Sequence, residues 1–281
     1  MLNQIQKGIN RLNWLVWGLA GETDINDDIK IYIISYPKSG RTWLRMLLGK
    51  VICEKFNLDE SNILYTTKLT LAADLPGVNW SHDGSGNNQG KKFRKFVSNK
   101  SAFRNKKVLF IYRDPKDLIV SNYFQATKRV SKYTDFTGSI SQFIRHPNYG
   151  IHKIVDFYNI WHRNQHIPED FLFITYENLH SDTNKILRSV VEFIGIKEVE
   201  EEIIQKAVDF ASFQNMRNME KNKIFKHHSM KPGDTQDEES YKVRKGKIGG
   251  YVDYLTTEDI EYIDTVISQE NCPFYKKANS K

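Results

Sequence analysis

The sequence predicts an α/β fold, a three-layer α/β/α arrangement with a central parallel sheet. Three short apolar runs, IYIIS (31–35), VLFIY (108–112) and FLFITY (171–176), are rich in β-branched or aromatic residues and too short for helices. A helical pattern follows each run, and such alternation is typical of a parallel sheet with right-handed crossovers. The 281 residues suffice for one substantial core, so we expect a single domain over residues 1–281.

The helices follow from apolar spacing and from proline and glycine signals. After the first strand, apolar residues over 43–52 recur every three or four positions. After the second strand, Pro115 stands where a first-turn proline belongs. After the third, an apolar pattern over 179–194 ends at Gly195. Further helices are predicted over 151–164, 198–210 and 257–268.

Three segments do not continue this alternation. Residues 12–21 are apolar but too short to span a bilayer. We expect a helix within 1–28 that packs on the domain, and contact with a membrane surface through Trp14 and Trp17 is the alternative. Residues 75–107 are turn-rich and then basic, and residues 215–250 are polar, so both are expected to form functional loops or lids.

Composition narrows the partners and the compartment. The 41 Lys and Arg against 34 Asp and Glu give a formal charge of +7, which favours an anionic partner. Nucleic acid, an acidic glycan, a membrane surface and a polyphosphate-type ligand all satisfy this charge. The two cysteines, Cys53 and Cys272, show no disulfide framework, which is typical of a reducing compartment, so we expect a cytoplasmic protein.

The segment PKSGRT (37–42) after the first strand is a candidate anion site. In a parallel sheet, ligands collect beyond the carboxyl ends of the strands. Gly40 lets the backbone approach an anion, the following helix offers free N–H groups, and Lys38 and Thr42 add a charge and a hydroxyl. Lys38 precedes the glycine, so this is not the G-x-x-x-x-G-K-[ST] motif. An ordinary turn with a surface lysine remains the alternative.

Two other segments could bind phosphate. Arg113 ends the second strand and Ser121 lies about two helical turns later. Arg113 could equally form an ion pair with Asp114 or Asp117. The basic, glycine-interrupted run RKGKIGG (244–250) predicts either a second phosphate-binding loop or a solvated turn.

Four motifs in this order, YPKSGRTW, YRDPKDLIVSNYF, FITYENL and VRKGKIGG, resemble those of the PAPS-dependent sulfotransferases, which have a P-loop-NTPase-like fold. PAPS is 3′-phosphoadenylyl sulfate, and the resemblance covers roughly residues 30–255. It implies an enzyme that transfers a sulfuryl group from PAPS to a hydroxyl or amine, leaving adenosine 3′,5′-bisphosphate (PAP), without a metal. It also implies a small-molecule or saccharide acceptor, no nucleic-acid partner, and closure of residues 215–250 over the nucleotide.

The resemblance assigns roles to matching residues. The 5′-phosphosulfate loop comprises Lys38, Ser39, Gly40, Arg41 and Thr42, with Trp43 against the adenine. The 3′-phosphate ligands are Arg113 and Ser121 together with Arg244, Lys245 and Gly246, while Tyr176 contacts the adenine side and Ser212 and Phe213 flank the base. The common family loop reads Lys-Ser-Gly-Thr-Thr-Trp, so Arg41 replaces a threonine and the role of its side chain is open.

The family generally takes its catalytic base, a histidine or in some branches a glutamate, from the interval between the first two motifs. This interval contains one histidine, His82, which we predict as the general base, while Lys38 stabilises charge on the leaving oxygen. Whether Asp83 orients the imidazole is open.

Two other functions are weighed against sulfuryl transfer. A P-loop nucleotide kinase would need a lysine after the loop glycine and an acidic Mg²⁺ ligand at a strand end. A non-enzymatic polyanion-binding domain rests on the net charge and on the basic run 91–107.

Overall fold

The computed structural model describes residues 28–86, 96–129, 134, 136–231 and 233–279. Within these ranges four parallel strands form one sheet in the order β2-β1-β3-β4: β1 Ile29–Ser35, β2 Gly77–Ser81, β3 Lys107–Tyr112 and β4 Asp170–Thr175. The helices are α1 Arg41–Phe56, α2 Thr66–Ala72, α3 Pro115–Phe124, α4 Ile140–Arg145, α5 Ile151–Asn164, α6 Tyr176–Ser181, α7 Thr183–Phe193, α8 Glu201–Phe210, α9 Phe213–Lys221, α10 Thr257–Gln269 and α11 Pro273–Asn279.

Helices cover both faces of the sheet because alternate strand residues point to opposite sides. Tyr32 and Ile34 of β1 lie in one apolar cluster, which includes side chains of α3, α5 and α10. Ile31 and Ile33 lie in a second cluster, which includes side chains of α1, α7 and α8. The predicted three-layer α/β fold with a parallel sheet is therefore confirmed.

The structure departs from the sequence-based expectation in two segments. Residues 75–107, expected to form a functional loop or lid, contain β2, which among the described strands pairs with β1 alone and alternates apolar Val78 and Trp80 with Gly77 and Asn79. An edge strand of this kind has one partner and needs only a short apolar pattern. The polar segment 215–250 begins inside α9, whose buried residues are Met216 and Glu220.

Several boundaries differ only slightly from the expectation. The helix predicted over 151–164 is α5, with the same limits. Tyr176 begins α6 instead of ending β4, and the helix predicted over 179–194 is divided between α6 and α7. Gly195 has a φ of +94°, a value that favours glycine at a helix end.

The N-terminal helix predicted within 1–28 lies outside the described residues, except for residue 28. Among the helices that the structure does describe, none combines the length and the apolar character that a membrane crossing requires.

Candidate active site

From β1 the chain passes to β2 on one side of it and then to β3 on its other side. This reversal of direction in the sheet places a crevice between the carboxyl ends of β1 and β3. The segment 36–40 follows β1 here and leads into α1. Gly40, the N-cap of α1, has a φ of +89°. A Cβ on Gly40 would lie 2.6 Å from the ring of Tyr176. Glycine is therefore required, and the aromatic ring lies directly on the backbone of the loop.

A cavity of about 250 Å³ opens at this edge of the sheet. All the site residues predicted from the sequence except Ser39 and Ser212 line it: Lys38, Gly40, Arg41, Thr42, Trp43, His82, Arg113, Ser121, Tyr176, Phe213, Arg244, Lys245 and Gly246. Ser39 is fully buried. Residues up to 208 positions apart thus meet at one site, as the motifs predict, whereas their individual roles stay predictions.

The guanidinium of Arg113 is held in one orientation at the end of β3. Its Nη1 donates to the carbonyl oxygen of Lys38 at 2.9 Å, and its Cζ lies 4.3 Å from the centre of the Tyr176 ring. Asp114 instead caps α3 by accepting from the backbone N–H of Lys116. Among the described residues, Arg113 forms no ion pair, so the structural ion pair considered for it is not observed.

The loop containing Arg244 and Gly246 forms the opposite wall. Asp117 of α3 accepts from the backbone N–H groups of Gly249 at 2.7 Å and Tyr251 at 3.0 Å, which ties this loop to the crevice. Gly246 has a φ of +61°, and a Cβ there would lie 2.7 Å from the ring of Phe213. Arg244 donates to Glu239 at 2.8 Å. The loop is therefore anchored by side chains on both sides of the cavity.

Aromatic rings line the part of the cavity between these two walls. Trp43 and Tyr176 meet edge to face with ring centres 5.9 Å apart, and His180 lies 6.1 Å from Trp43. The Nε2 of His180 is 3.0 Å from the carbonyl oxygen of Gly246. Flat apolar surfaces beside basic groups suit a planar aromatic ring linked to an anion.

Positive charge accumulates in this buried space. Burial, together with Lys242, Arg129 and Arg113, holds the pKa of Lys38 well below its ordinary value. Burial and the neighbouring Arg129 and Arg41 lower the pKa of Lys242 to about 7. Both shifts arise because like charges and poor solvation disfavour the charged form. A polyanion would offset that cost, so the residues present fit a ligand with several negative charges.

Sequence reasoning missed Lys242. It stands two residues before Arg244, and alternate residues of an extended segment point to the same side. That spacing was the available signal. The backbone N–H groups of Lys242 and Val243 donate to the buried carboxylate of Glu220, which also pairs with Arg129 at 2.8 Å.

His82 follows the last residue of β2 and faces the same cavity. Its Nδ1 lies 2.8 Å from the carbonyl oxygen of Ser35, at the end of β1. A carbonyl oxygen only accepts, so Nδ1 carries the proton and Nε2 is left as an acceptor. Burial, and then the nearby Arg41, hold the pKa of His82 well below 6.5. The imidazole is therefore neutral near pH 7 and able to accept a proton.

Asp83 fixes the backbone next to His82. Its Oδ2 accepts from Trp161 Nε1 at 2.9 Å and pairs with Lys100 Nζ at 2.5 Å, with 7% and 2% of the acid and amine side chains exposed. The Ser35 carbonyl, in contrast, holds the imidazole of His82. Asp83 thus anchors the turn that carries His82.

The adjacent His227 and His228 differ in exposure, since His227 is buried and His228 is exposed. His227 is 9% exposed, its ring centre lies 5.0 Å from that of Tyr65, and its Nδ1 lies 2.8 Å from the hydroxyl of Ser229.

The sequence profile of the sulfotransferase domain family matches residues 28–274. The chain belongs to this family. This sulfotransferase is 30% identical to a flavonol 3-sulfotransferase of Flaveria bidentis, over 85% of this chain and 81% of that protein. It is 26% identical to a cytosolic sulfotransferase of Arabidopsis thaliana, over 85% of this chain and 73% of the relative.

A solved structure of a mouse sulfotransferase complexed with PAP shares the fold, with a TM-score of 0.57 at 19% identity, covering 87% of this chain and 84% of the mouse protein. The family match and the Flaveria relative confirm the predictions of a sulfotransferase and of an enzyme.

Proposed function

We propose that this sulfotransferase binds PAPS in the cavity at the ends of β1 and β3 and transfers its sulfuryl group to an acceptor hydroxyl or amine. The observation that supports this most directly is the meeting of half-buried cations and a neutral histidine in one cavity. Lys38, Arg113 and Arg244 surround it with charge, and the Nε2 of His82 is left as an acceptor. PAPS is a substrate with about four negative charges that needs such partners.

The two ends of the nucleotide would bind at opposite walls. The backbone N–H groups at the start of α1, together with Lys38 and Thr42, suit the 5′-phosphosulfate. Arg113, Ser121 and the 244–246 loop suit the 3′-phosphate, with the aromatic rings of Trp43 and Tyr176 beside the adenine. Each charge-assisted hydrogen bond would contribute about 1.5–3 kcal/mol.

In the transfer step, His82 Nε2 takes the proton of the acceptor hydroxyl as the acceptor oxygen bonds to sulfur. The bond from sulfur to the bridging phosphate oxygen breaks, and its electron pair stays on that oxygen. Lys38 stabilises the charge that develops there. The products are a sulfate ester and PAP, and the proton on His82 returns to solvent.

The acceptor and compartment rest on the relatives. The Flaveria relative is a flavonol 3-sulfotransferase, so we propose a small-molecule acceptor here, with a saccharide as the alternative. The Arabidopsis relative is named cytosolic, which supports the proposed cytoplasmic location.

Thermal denaturation with PAP, with and without Mg²⁺, tests the nucleotide site. We expect stabilisation that does not need the metal, and weaker stabilisation by adenosine 5′-monophosphate, which lacks the 3′-phosphate. Stabilisation only by ATP with Mg²⁺ would indicate a nucleotide kinase. Absence of any nucleotide effect would leave a polyanion-binding domain. Turnover of radiolabelled PAPS over an acceptor panel then tests the transfer itself.

A further inference from the structure

One face of α1 carries two arginines toward the end of β2. Arg41 and Arg45 are four residues apart, a spacing that places them on the same side of a helix. The Cζ of Arg45 lies 4.8 Å from the centre of the Trp80 ring. Trp80 precedes His82 by two residues on the same strand edge. This face of α1 is therefore directed at the place where His82 would receive the acceptor proton.

The positive charge of Arg41 and Lys242 is not paired with a carboxylate among the described residues that line the cavity. Arg41, His82 and Lys242 line the cavity together. Arg45 is 7% exposed, and its Nε is buried with no hydrogen-bond partner among the residues that the structure describes. Cations placed so close in poorly solvated space repel one another, and each lowers the pKa of its neighbours.

The carboxylates nearby are already engaged. Glu220 is the acid that acts on Lys242, but it accepts from Arg129 and from two backbone N–H groups. Asp117 is the one carboxylate among the described residues that line the cavity, and it accepts hydrogen bonds from the backbone N–H groups of Gly249 and Tyr251. Neither provides a free negative charge for Arg41.

The proposed nucleotide contacts do not account for these cations either. The 3′-phosphate is assigned to Arg113 and the 244–246 loop, and the 5′ end to Lys38 and the backbone at the start of α1. Arg41 lines the cavity together with His82 and Lys242, and it lies one helical turn before Arg45, which packs on Trp80 beside His82. We therefore place its guanidinium on the acceptor side of the reacting centre.

We propose that the acceptor is itself an anion: a hydroxyl compound with a carboxylate or sulfate group, bound by Arg41 and Lys242 beside His82. Arg45 adds to the positive field from beneath Trp80. This inference rests on the proposed sulfuryl transfer and specifies the acceptor class of the same site. A charge-assisted pair with a guanidinium or ammonium supplies both affinity and orientation.

Acceptor pairs that differ only in charge test the proposal. Suitable pairs are 4-hydroxyphenylacetate with its methyl ester and glucuronic acid with its methyl ester, assayed with radiolabelled PAPS. We expect the wild-type enzyme to favour the acid by about 10-fold or more in kcat/KM, since a charge-assisted bond contributes about that much. Arg41→Thr and Lys242→Met should each remove about a factor of 10 for the acid, or 1.4 kcal/mol. The ester should change by less than about threefold.

Arg188→Gln is the matched control. Arg188 lies on α7, pairs with Glu201 and does not line the cavity, so its loss should leave the acid preference unchanged. Calorimetric titration with PAP is carried out on every variant. Retention of PAP affinity in Arg41→Thr is expected, because the backbone and Lys38 remain.

The outcomes separate the two levels of the proposal. Equal use of acid and ester in every pair, or equal loss of both in Arg41→Thr, would overturn the anionic acceptor. A large loss of PAP affinity in Arg41→Thr would do the same, because the side chain would then serve the nucleotide. If no pair is turned over, binding of acid and ester to the PAP complex decides in the same way. Failure of PAP to bind the wild-type protein would instead refute the proposed function.

Discussion

Asp83→Asn isolates the contribution of the buried pair beneath His82. The Asp83 carboxylate and the Lys100 ammonium are 2.5 Å apart and almost wholly buried. Asparagine keeps the shape and an oxygen for the Trp161 N–H. It also tolerates the φ of +45° found at this position, which most residues adopt only with strain. The substitution therefore removes the negative charge with little other change.

We expect Asp83→Asn to lower the free energy of unfolding by about 3–5 kcal/mol, because Lys100 is left buried without its counter-charge. Adding Lys100→Met should restore most of this loss, since a neutral pair of similar volume has no unpaired charge to bury. The matched control is Asp170→Asn, which removes an exposed pair with Lys107 at 3.1 Å. It should cost about 0–1 kcal/mol.

The measurement is urea denaturation followed by tryptophan fluorescence for the two single variants, the double variant and the control. A loss below about 1 kcal/mol in Asp83→Asn would mean that the pair behaves like a surface salt bridge. A double variant no more stable than Asp83→Asn would equally refute the reasoning, because the unpaired charge would then not be the cause of the loss.

Four further predictions concern the site. His82→Ala should lower kcat by about 10²–10⁴-fold and retain PAP affinity, and full activity would place the base elsewhere. Burial and Arg41 lower the pKa of His82, and the neutral imidazole is the proposed base. The fall of kcat/KM for PAPS on the acid side should therefore occur below pH 6.5, and a fall at higher pH would contradict this. Arg113→Ala should weaken PAP binding by about 10–100-fold but spare adenosine 5′-monophosphate, and equal loss of both in calorimetry would refute the assignment. The negative charges of PAP should raise the pKa of Lys242 from about 7 through their field in the cavity, although this amine itself is proposed to bind the acceptor, so PAP binding near pH 8 should take up protons. Calorimetry in buffers of different ionisation enthalpy measures this proton uptake. It should be smaller in Lys242→Met and unchanged in the exposed control Lys221→Met. Unchanged proton uptake in Lys242→Met would assign the uptake to another group.

The sequence was sufficient for the parts of the site that lie at strand ends. Lys38 and Arg113 follow β1 and β3, and the geometry of a parallel sheet brings these ends to one edge. His82 was predicted from the family resemblance instead, as the one histidine between the first two motifs. The motifs identified the loops, and the order of the strands explains why these loops lie next to one another. The three strongly apolar strands were predictable for the same reason, because burial on both faces leaves a continuous apolar run.

The remaining features depend on loop conformation, which no local pattern specifies. β2 has one neighbour and a short alternating pattern, so its residues read as a turn-rich loop. Two sets of hydrogen bonds join segments far apart in the chain. His82 bonds to the Ser35 carbonyl, and Asp117 accepts from the backbone of residues 249–251. The position of Lys242 in the cavity likewise depends on the anchoring of its backbone by Glu220.

Two carbonyl oxygens of a single short segment, 35–40, hold groups that we assign to opposite halves of the proposed reaction. Ser35 holds the imidazole of His82, and Lys38 holds the guanidinium of Arg113. Reacting atoms must approach to about 3–3.5 Å, and small displacements lower the rate steeply. One rigid stretch of backbone therefore serves as a common reference for donor and acceptor. Changes in the outer loops can alter which acceptor is chosen without disturbing that alignment, whereas an insertion within 35–40 would misplace both partners at once.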